Sequence, residues 1–220
     1  MASIRLNSNN WINTLLYLPL IFLILLIGIY PLQFFLTEGK VGILEVKSDA
    51  LLSDWVWKTF FYMHISFGEI ALLVGWLQFV QGLRNYSMRL HRTIGKLYVV
   101  CVWMSALGVG YIGFFAEGGL IAFLGFMIGG LIWAYTTIQG YLTIRKGRVI
   151  AHQKWMIYSY AMCVGAVTLR IWLPLLMIAT DDFTFSYQIV SWMAWAPNLV
   201  AAYGIVKVKT TPLAEPIKHT

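Results

Sequence analysis

Residues 120–144 read LIAFLGFMIGGLIWAYTTIQGYLTI, twenty-five residues without a charge, followed at once by Arg145 and Lys146. A helix crosses a bilayer core with about 20 apolar residues, so this stretch predicts a membrane span with a basic end. Working outward, runs of comparable length occupy residues 12–36, 59–83, 97–116, 155–180 and 187–206. The prediction is an all-α, polytopic helical bundle of six transmembrane helices. It forms one domain over residues 1–209, with a short tail at 210–220.

Composition agrees with the spans. Hydrophobic residues make up 60% of the chain and charged residues 11%, against roughly 45–50% and about 25% in soluble domains. A soluble enzyme or a nucleic-acid binder is excluded at this step. Ten Trp, twelve Tyr and thirteen Phe suit a surface that meets lipid and places aromatics at the membrane interfaces. The first span exceeds the apolar core of a signal peptide, roughly 7–15 residues, and no A-x-A site follows it, so it is expected to remain as an anchor.

Six spans put both termini on one side. That side carries twelve basic residues: Arg5, the loop group Arg84, Arg89, Arg92 and Lys96, the loop group Arg145, Lys146, Arg148 and Lys154, and Lys207, Lys209 and Lys218. The other side has Lys40, Lys47 and Lys58, with seven of the nine acidic residues. The positive-inside rule therefore predicts cytoplasmic termini. The basic loops report topology and not nucleic-acid binding.

Two helical hairpins look alike. Gln81-Gly82, a basic loop and His91 join the second and third spans; Gln139-Gly140, a basic loop and His152 join the fourth and fifth. The gaps are ten and thirteen residues, so the resemblance is loose. Cys101 and Cys163 both fall inside spans, form no C-x-x-C pair, and read as small core residues.

The polar groups inside the spans carry the functional question. An ionisable side chain near a bilayer centre costs at least about 2.5–3.5 kcal/mol and usually faces the bundle interior with a partner. At about 1.5 Å per residue, His64 lies roughly 10 Å deep from the outer edge, Glu69 roughly 18 Å and Arg170 roughly 15 Å. Arg170 can pair with Glu69 or donate to His64. The pair can serve only to fix helix packing, can relay protons, or can hold an acidic group or a quinone oxygen.

Helical phase adds to this. His64, Gly68, Ala71, Gly75, Gln78 and Gly82 make a small, polar stripe that must face protein or a cofactor. His152 and Arg170 lie eighteen residues apart, five full turns, and share a face with Ser159 and Cys163. His91 and His152 both sit at the starts of helices near the inner interface, at matching depth. In helical bundles, axial haem ligands come from facing helices at one level, so these two can hold one b-type haem or, with a third donor, a divalent metal. His64 has no histidine at its depth, and the fourth histidine, His219, is in the tail.

The ordered set His64, Gly68, Gln78, His91-Arg92, Gly95, His152, Trp155-Met156 and Arg170 resembles the bacterial membrane-protein family called domain of unknown function 2306. The resemblance covers most of spans two to five and implies a multi-pass bacterial inner-membrane protein of unestablished activity. It departs at Gln153, where the family pattern has arginine after the histidine. In architecture alone the chain is similar to the six-span b561-type cytochromes, but those carry two histidine pairs at two depths and this chain offers one.

Three functions of different classes stand side by side. A redox protein would hold haem b through His91 and His152, with His64 and Arg170 toward a quinone or a propionate and an electron-transfer partner in or at the bilayer. A transport or proton-relay protein would use His64, Glu69 and Arg170, with Gln78 beside the path. A scaffold or complex subunit would use the same groups for packing.

Overall fold

The computed structural model describes residues 10–37 and 39–210. Arg5, Glu38, Glu215, Lys218, His219 and the tail from residue 211 lie outside the described residues. The described residues form helices and turns with no strand. Helix α1 (Asn10–Ile29) runs through a 3-10 turn at Tyr30–Leu32 into α2 (Gln33–Leu36). A 3-10 turn at Gly42–Val46 and α3 (Asp49–Ser53) lead to α4 (Trp55–Gly75), which ends in a 3-10 turn at Trp76–Phe79. Then follow α5 (Gln81–Tyr86), α6 (Met88–Ile112), α7 (Gly119–Arg145), α8 (Val149–Cys163), α9 (Gly165–Thr180), α10 (Phe183–Met193) and α11 (Ala196–Thr210).

By length and composition, five helical stretches among the described residues suffice to cross a membrane: Trp55–Phe79, Met88–Phe115, Gly119–Arg145, Val149–Thr180 and Phe183–Val208. Five of the six predicted spans fall on these. The first coincides with α1, α2 and the turn between them, where Ile21–Leu36 forms a shorter apolar stretch. Helix starts differ from the apolar limits for a backbone reason. Ser87 and Asp182 accept hydrogen bonds from Leu90 N–H and Phe185 N–H, and such caps start a helix in polar sequence before the apolar run begins.

Four stretches make a closed ring: α4 packs on α6, α6 on α7, α7 on α8, and α8 back on α4. This leaves α6 and α8 diagonal and parallel, with α4 and α7 on the other diagonal. Helix α1 lies against α4 and α9, α10 against α7 and α9, and α11 against α8. The ring closes around Leu72, Tyr98, Cys101, Val102, Met156, Tyr160 and Cys163, all buried. Leu107, Leu124 and Leu131 are exposed on the outside, as side chains facing lipid would be.

Small residues set the spacing. A Cβ on Gly68 would lie 3.0 Å from Ser105 Oγ, one on Gly75 2.8 Å from the Tyr98 ring, and one on Gly95 3.1 Å from Gln78 Oε1. The stripe that begins at His64 therefore faces α6, down to Gln78; Gly82, beyond the kink at Trp76–Phe79, meets Val80 of its own segment instead. In the second hairpin, Thr137 on α7 hydrogen-bonds Ser159 on α8 at 2.6 Å, and Gly140 faces Met156. Close approach through glycine is the usual device for helices in lipid, where no hydrophobic force drives them together.

Candidate functional site

At the acidic end of the ring, Lys47 is buried, donates to Phe115 C=O, and pairs with Glu117 at 2.8 Å. Lys40 bridges Asp49 at 2.8 Å and donates to Lys47 C=O. Residues 40–49 are thereby fastened across the mouths of α6 and α7. Beneath them, Phe34, Leu44, Trp57 and Phe61 form a small apolar cluster.

One layer deeper, Arg170 on α9 meets Glu69 on α4 at 3.0 Å. The guanidinium also donates to Ala166 C=O at 3.1 Å and lies 4.6 Å from the Tyr30 ring centroid. Three segments of the chain are joined through one cation. Glu69 is 8% exposed, and its second oxygen, Oε2, is buried without a hydrogen-bond partner.

His64 does not bond Arg170. Its Nδ1–H donates to Ser105 C=O at 3.0 Å, and Ser105 Oγ donates back to His64 C=O at 3.0 Å. A Cβ on Gly108 would fall 2.9 Å from the His64 backbone nitrogen, so α4 and α6 touch almost backbone to backbone here. His64 thus acts as a cross-helix clamp, and its Nε2 keeps a lone pair.

At the basic end the two remaining helical histidines occupy equivalent places. His91 N–H donates to the cap carbonyl of Ser87 at 3.1 Å, and His152 N–H to that of Arg148 at 2.9 Å. Each histidine is therefore the fourth residue past its cap. Two turns further along these same faces, Tyr98 on α6 and Ser159 on α8 hydrogen-bond at 2.8 Å across a sequence separation of 61. His91 and His152 have that same separation. On parallel helices, equal offsets mean equal depth, and seven residues make nearly two turns, so the imidazoles project from the faces that bring Tyr98 and Ser159 together. They lie within electrostatic reach of each other.

The surroundings differ in how well each group is tied. His152 Nδ1–H donates to Gly140 C=O at 2.8 Å, which fixes the tautomer and leaves Nε2 as a lone-pair donor. This is the arrangement metal-ligating histidines use. His91 Nδ1 is buried and unpartnered, as are Gln78 Nε2 and Trp76 Nε1 on the 3-10 turn that closes α4. Buried polar atoms without partners are uncommon, because each costs desolvation energy for nothing in return.

Sequence reading named Ser159 only as sharing a face with His152 and did not single out Tyr98, Thr137 and Trp133; the four form a polar network on three helices. Its signal was there: Tyr98 and Ser159 each lie seven residues past a histidine. Ser105 was also missed, because a lone serine in an apolar span carries no pattern. Among the described residues, no cluster of three or more His, Cys, Asp or Glu could hold a metal ion. Cys101 and Cys163 are free and buried.

Residues 61–206 match the family described as predicted membrane protein (DUF2306). No curated protein and no solved structure shows significant similarity to the chain.

Proposed function

The chain belongs to the DUF2306 family of predicted membrane proteins, and from that premise we propose that it is a multi-pass redox protein of the bacterial inner membrane that holds one b-type haem between His91 and His152. Its six spans leave both termini and the basic end on the cytoplasmic side, as the twelve-to-three distribution of basic residues requires.

The observation that carries this reading is the matched pair of imidazoles on diagonal helices of a four-helix ring. A cofactor in a bundle core needs ligands from facing helices at one level, with room between them. Diagonal helices α6 and α8 face each other across the ring, where Tyr98 reaches Ser159 at 2.8 Å. The residues present fit the group. His152 already presents Nε2, and His91 has a buried nitrogen without a partner.

Bound there, haem would supply one-electron transfer. The protein's own part is to hold and to exclude. Gly140 C=O orients His152. The buried layer of Tyr98, Ser159 and Thr137 closes the interior above the pair. The arginines of the basic loops supply positive charge at the membrane surface for anionic groups.

The test is a visible spectrum of the detergent-purified protein after haem titration. A Soret band with sharp α bands on reduction is expected, lost on His91→Ala or His152→Ala and retained on His64→Ala. A preparation that stays colourless after titration overturns the reading, as does haem binding that depends on His64 and not on His91.

Glu69 favours a second reading, because Oε2 is a buried, unpartnered proton acceptor beside a cation. A proton-relay or transport protein would use it. Proton uptake that survives haem removal and vanishes in Glu69→Gln would establish that function in place of the first.

A further inference from the structure

Charge is balanced at one end of the ring and unbalanced at the other. Three ion pairs form among the described residues: Lys40–Asp49 and Lys47–Glu117 at the acidic end, and Arg170–Glu69 beneath them. At the basic end, residues 84–96 and 145–154 carry eight cations and no carboxylate. Orientation in the membrane accounts for that charge. It does not account for the aliphatic side chains set among it.

The turn between α7 and α8 shows both features together. Val149 is 52% and Ile150 65% exposed, directly after the exposed Arg148. Backbone hydrogen bonds fix this turn. Gly147, with φ at +70°, donates to Ile144 C=O at 3.0 Å, and Arg148 N–H returns to Thr143 C=O at 2.9 Å. Helix α8 therefore starts three residues after α7 ends, and an open groove forms beside the turn, lined by Gly147, Arg148, Val149, Ile150, Ala151 and Lys154.

Ile150, Ala151 and Lys154 follow one another at spacings of three and four from the lysine, so they share a helix face. Arg148 stands at the cap. The groove thus combines two cations with aliphatic surface, and neither cation makes an ion pair among the described residues. Its depth is marked by Trp155, the next residue, whose ring meets Tyr135 edge-on with centroids 5.7 Å apart. Trp and Tyr gather at the headgroup level of a bilayer, so the groove opens at that level.

We infer that this groove binds an anionic phospholipid, with Arg148 and Lys154 on the phosphodiester and Val149, Ile150 and Ala151 against the glycerol and the first acyl carbons. The arginine offers two parallel donors to phosphate oxygens and the lysine adds a point charge. A soluble anion would use the two cations and leave Val149 and Ile150 in water, so the aliphatic half of the groove selects the lipid. A zwitterionic phospholipid has the same phosphate, but its own ammonium group offsets the charge that Arg148 and Lys154 attract. Haem plays no part in this site.

The experiment titrates the detergent-purified full chain with dioleoylphosphatidylglycerol and with dioleoylphosphatidylcholine, and reads bound lipid by native mass spectrometry. One basic residue at an anionic membrane surface is worth about fivefold in affinity, so two should give the first phosphatidylglycerol a preference of about 25-fold. Arg148→Gln and Lys154→Gln should each lower that preference about fivefold. Arg89→Gln and Lys96→Gln, which remove the same charge from the other basic turn, should leave it unchanged, and Ile150→Ser should weaken both lipids alike. Equal retention of the two lipids, or equal losses in all four charge variants, overturns the site. Inorganic phosphate that displaces phosphatidylglycerol at equal concentration, with no effect of Ile150→Ser, would assign the cations to a soluble anion and overturn the lipid.

Discussion

The two hairpins of the ring share one frame and differ in how their histidines are held. In the second, α7 runs unbroken to Arg145 and turns at Gly147, where φ is +70°. His152 then reaches back to the Gly140 carbonyl. In the first, the helix breaks after Gly75 and inserts a 3-10 turn and α5 before α6 begins. The residue corresponding to Gly140 at the offset of 61 is Phe79, 44% exposed, and His91 Nδ1 has no hydrogen-bond partner. One imidazole is oriented in advance, while the other keeps a buried nitrogen free. A duplicated frame held by glycine contacts has room for such divergence, because the spacing of the helices does not depend on the turn between them.

The largest expected effect lies where the hairpins differ in charge. Glu69 pairs with Arg170, whereas the positions 61 residues after the one and 61 before the other, Gly130 and Val109, meet as an apolar contact. Removing one partner, by Glu69→Gln or Arg170→Met, should cost about 3–5 kcal/mol, because the other charge is left buried and alone. The double variant Glu69→Leu with Arg170→Leu, which makes this contact apolar like its counterpart, should cost less than either single change. Thermal unfolding in detergent reads all three, and strictly additive losses would show that the pair contributes nothing jointly.

A smaller contrast comes from the glycines. Gly75→Ala drives a Cβ to 2.5 Å from the Tyr160 ring and 2.8 Å from the Tyr98 ring. Neither ring can retreat, since both tyrosines are buried and hydrogen-bonded, so overpacking should cost about 1–3 kcal/mol. Gly140→Ala meets Met156 Sδ, an adaptable side chain, and should cost less than about 1 kcal/mol. A reversed order in the same melts would mean that the second hairpin is the more tightly packed.

Next in size, Tyr98→Phe removes the hydroxyl that bonds Ser159. A loss of about 1 kcal/mol is expected, together with a shift in the Trp133 fluorescence, because the indole N–H donates to that hydroxyl at 3.5 Å. The smallest effect concerns the histidines without haem. His152→Ala should cost about 1 kcal/mol for the lost bond to Gly140. His91→Ala should cost less than that, since Nδ1 makes no bond to lose. Equal costs in hydrogen-exchange protection of α6 and α8 would erase the distinction drawn between the hairpins.

Much of the fold was legible from charge and hydropathy. The lengths of the apolar runs placed five spans on five helical stretches, since backbone groups in lipid must be satisfied within the segment. The Glu69 and Arg170 contact was legible as well, from depth and opposite charge. The helix limits were less so, as in residues 88–96, where a helix continues through a basic, polar sequence. Ser105 gave no warning, because one hydroxyl in an apolar run looks the same whether it bonds across helices or within its own.

The sequence by itself determined that this chain lies in a membrane, which way its charges divide, and that His91 and His152 start two helices at one depth. Hydropathy and charge act along the chain, one segment at a time, so they are readable there. Only the tertiary structure decided that α6 and α8 are diagonal and that the stripe from His64 to Gln78 faces α6. Those depend on which helix faces which. Between helices of equal hydropathy, that choice is made by the fit of glycines against tyrosine, serine and methionine side chains, residues far apart in the chain.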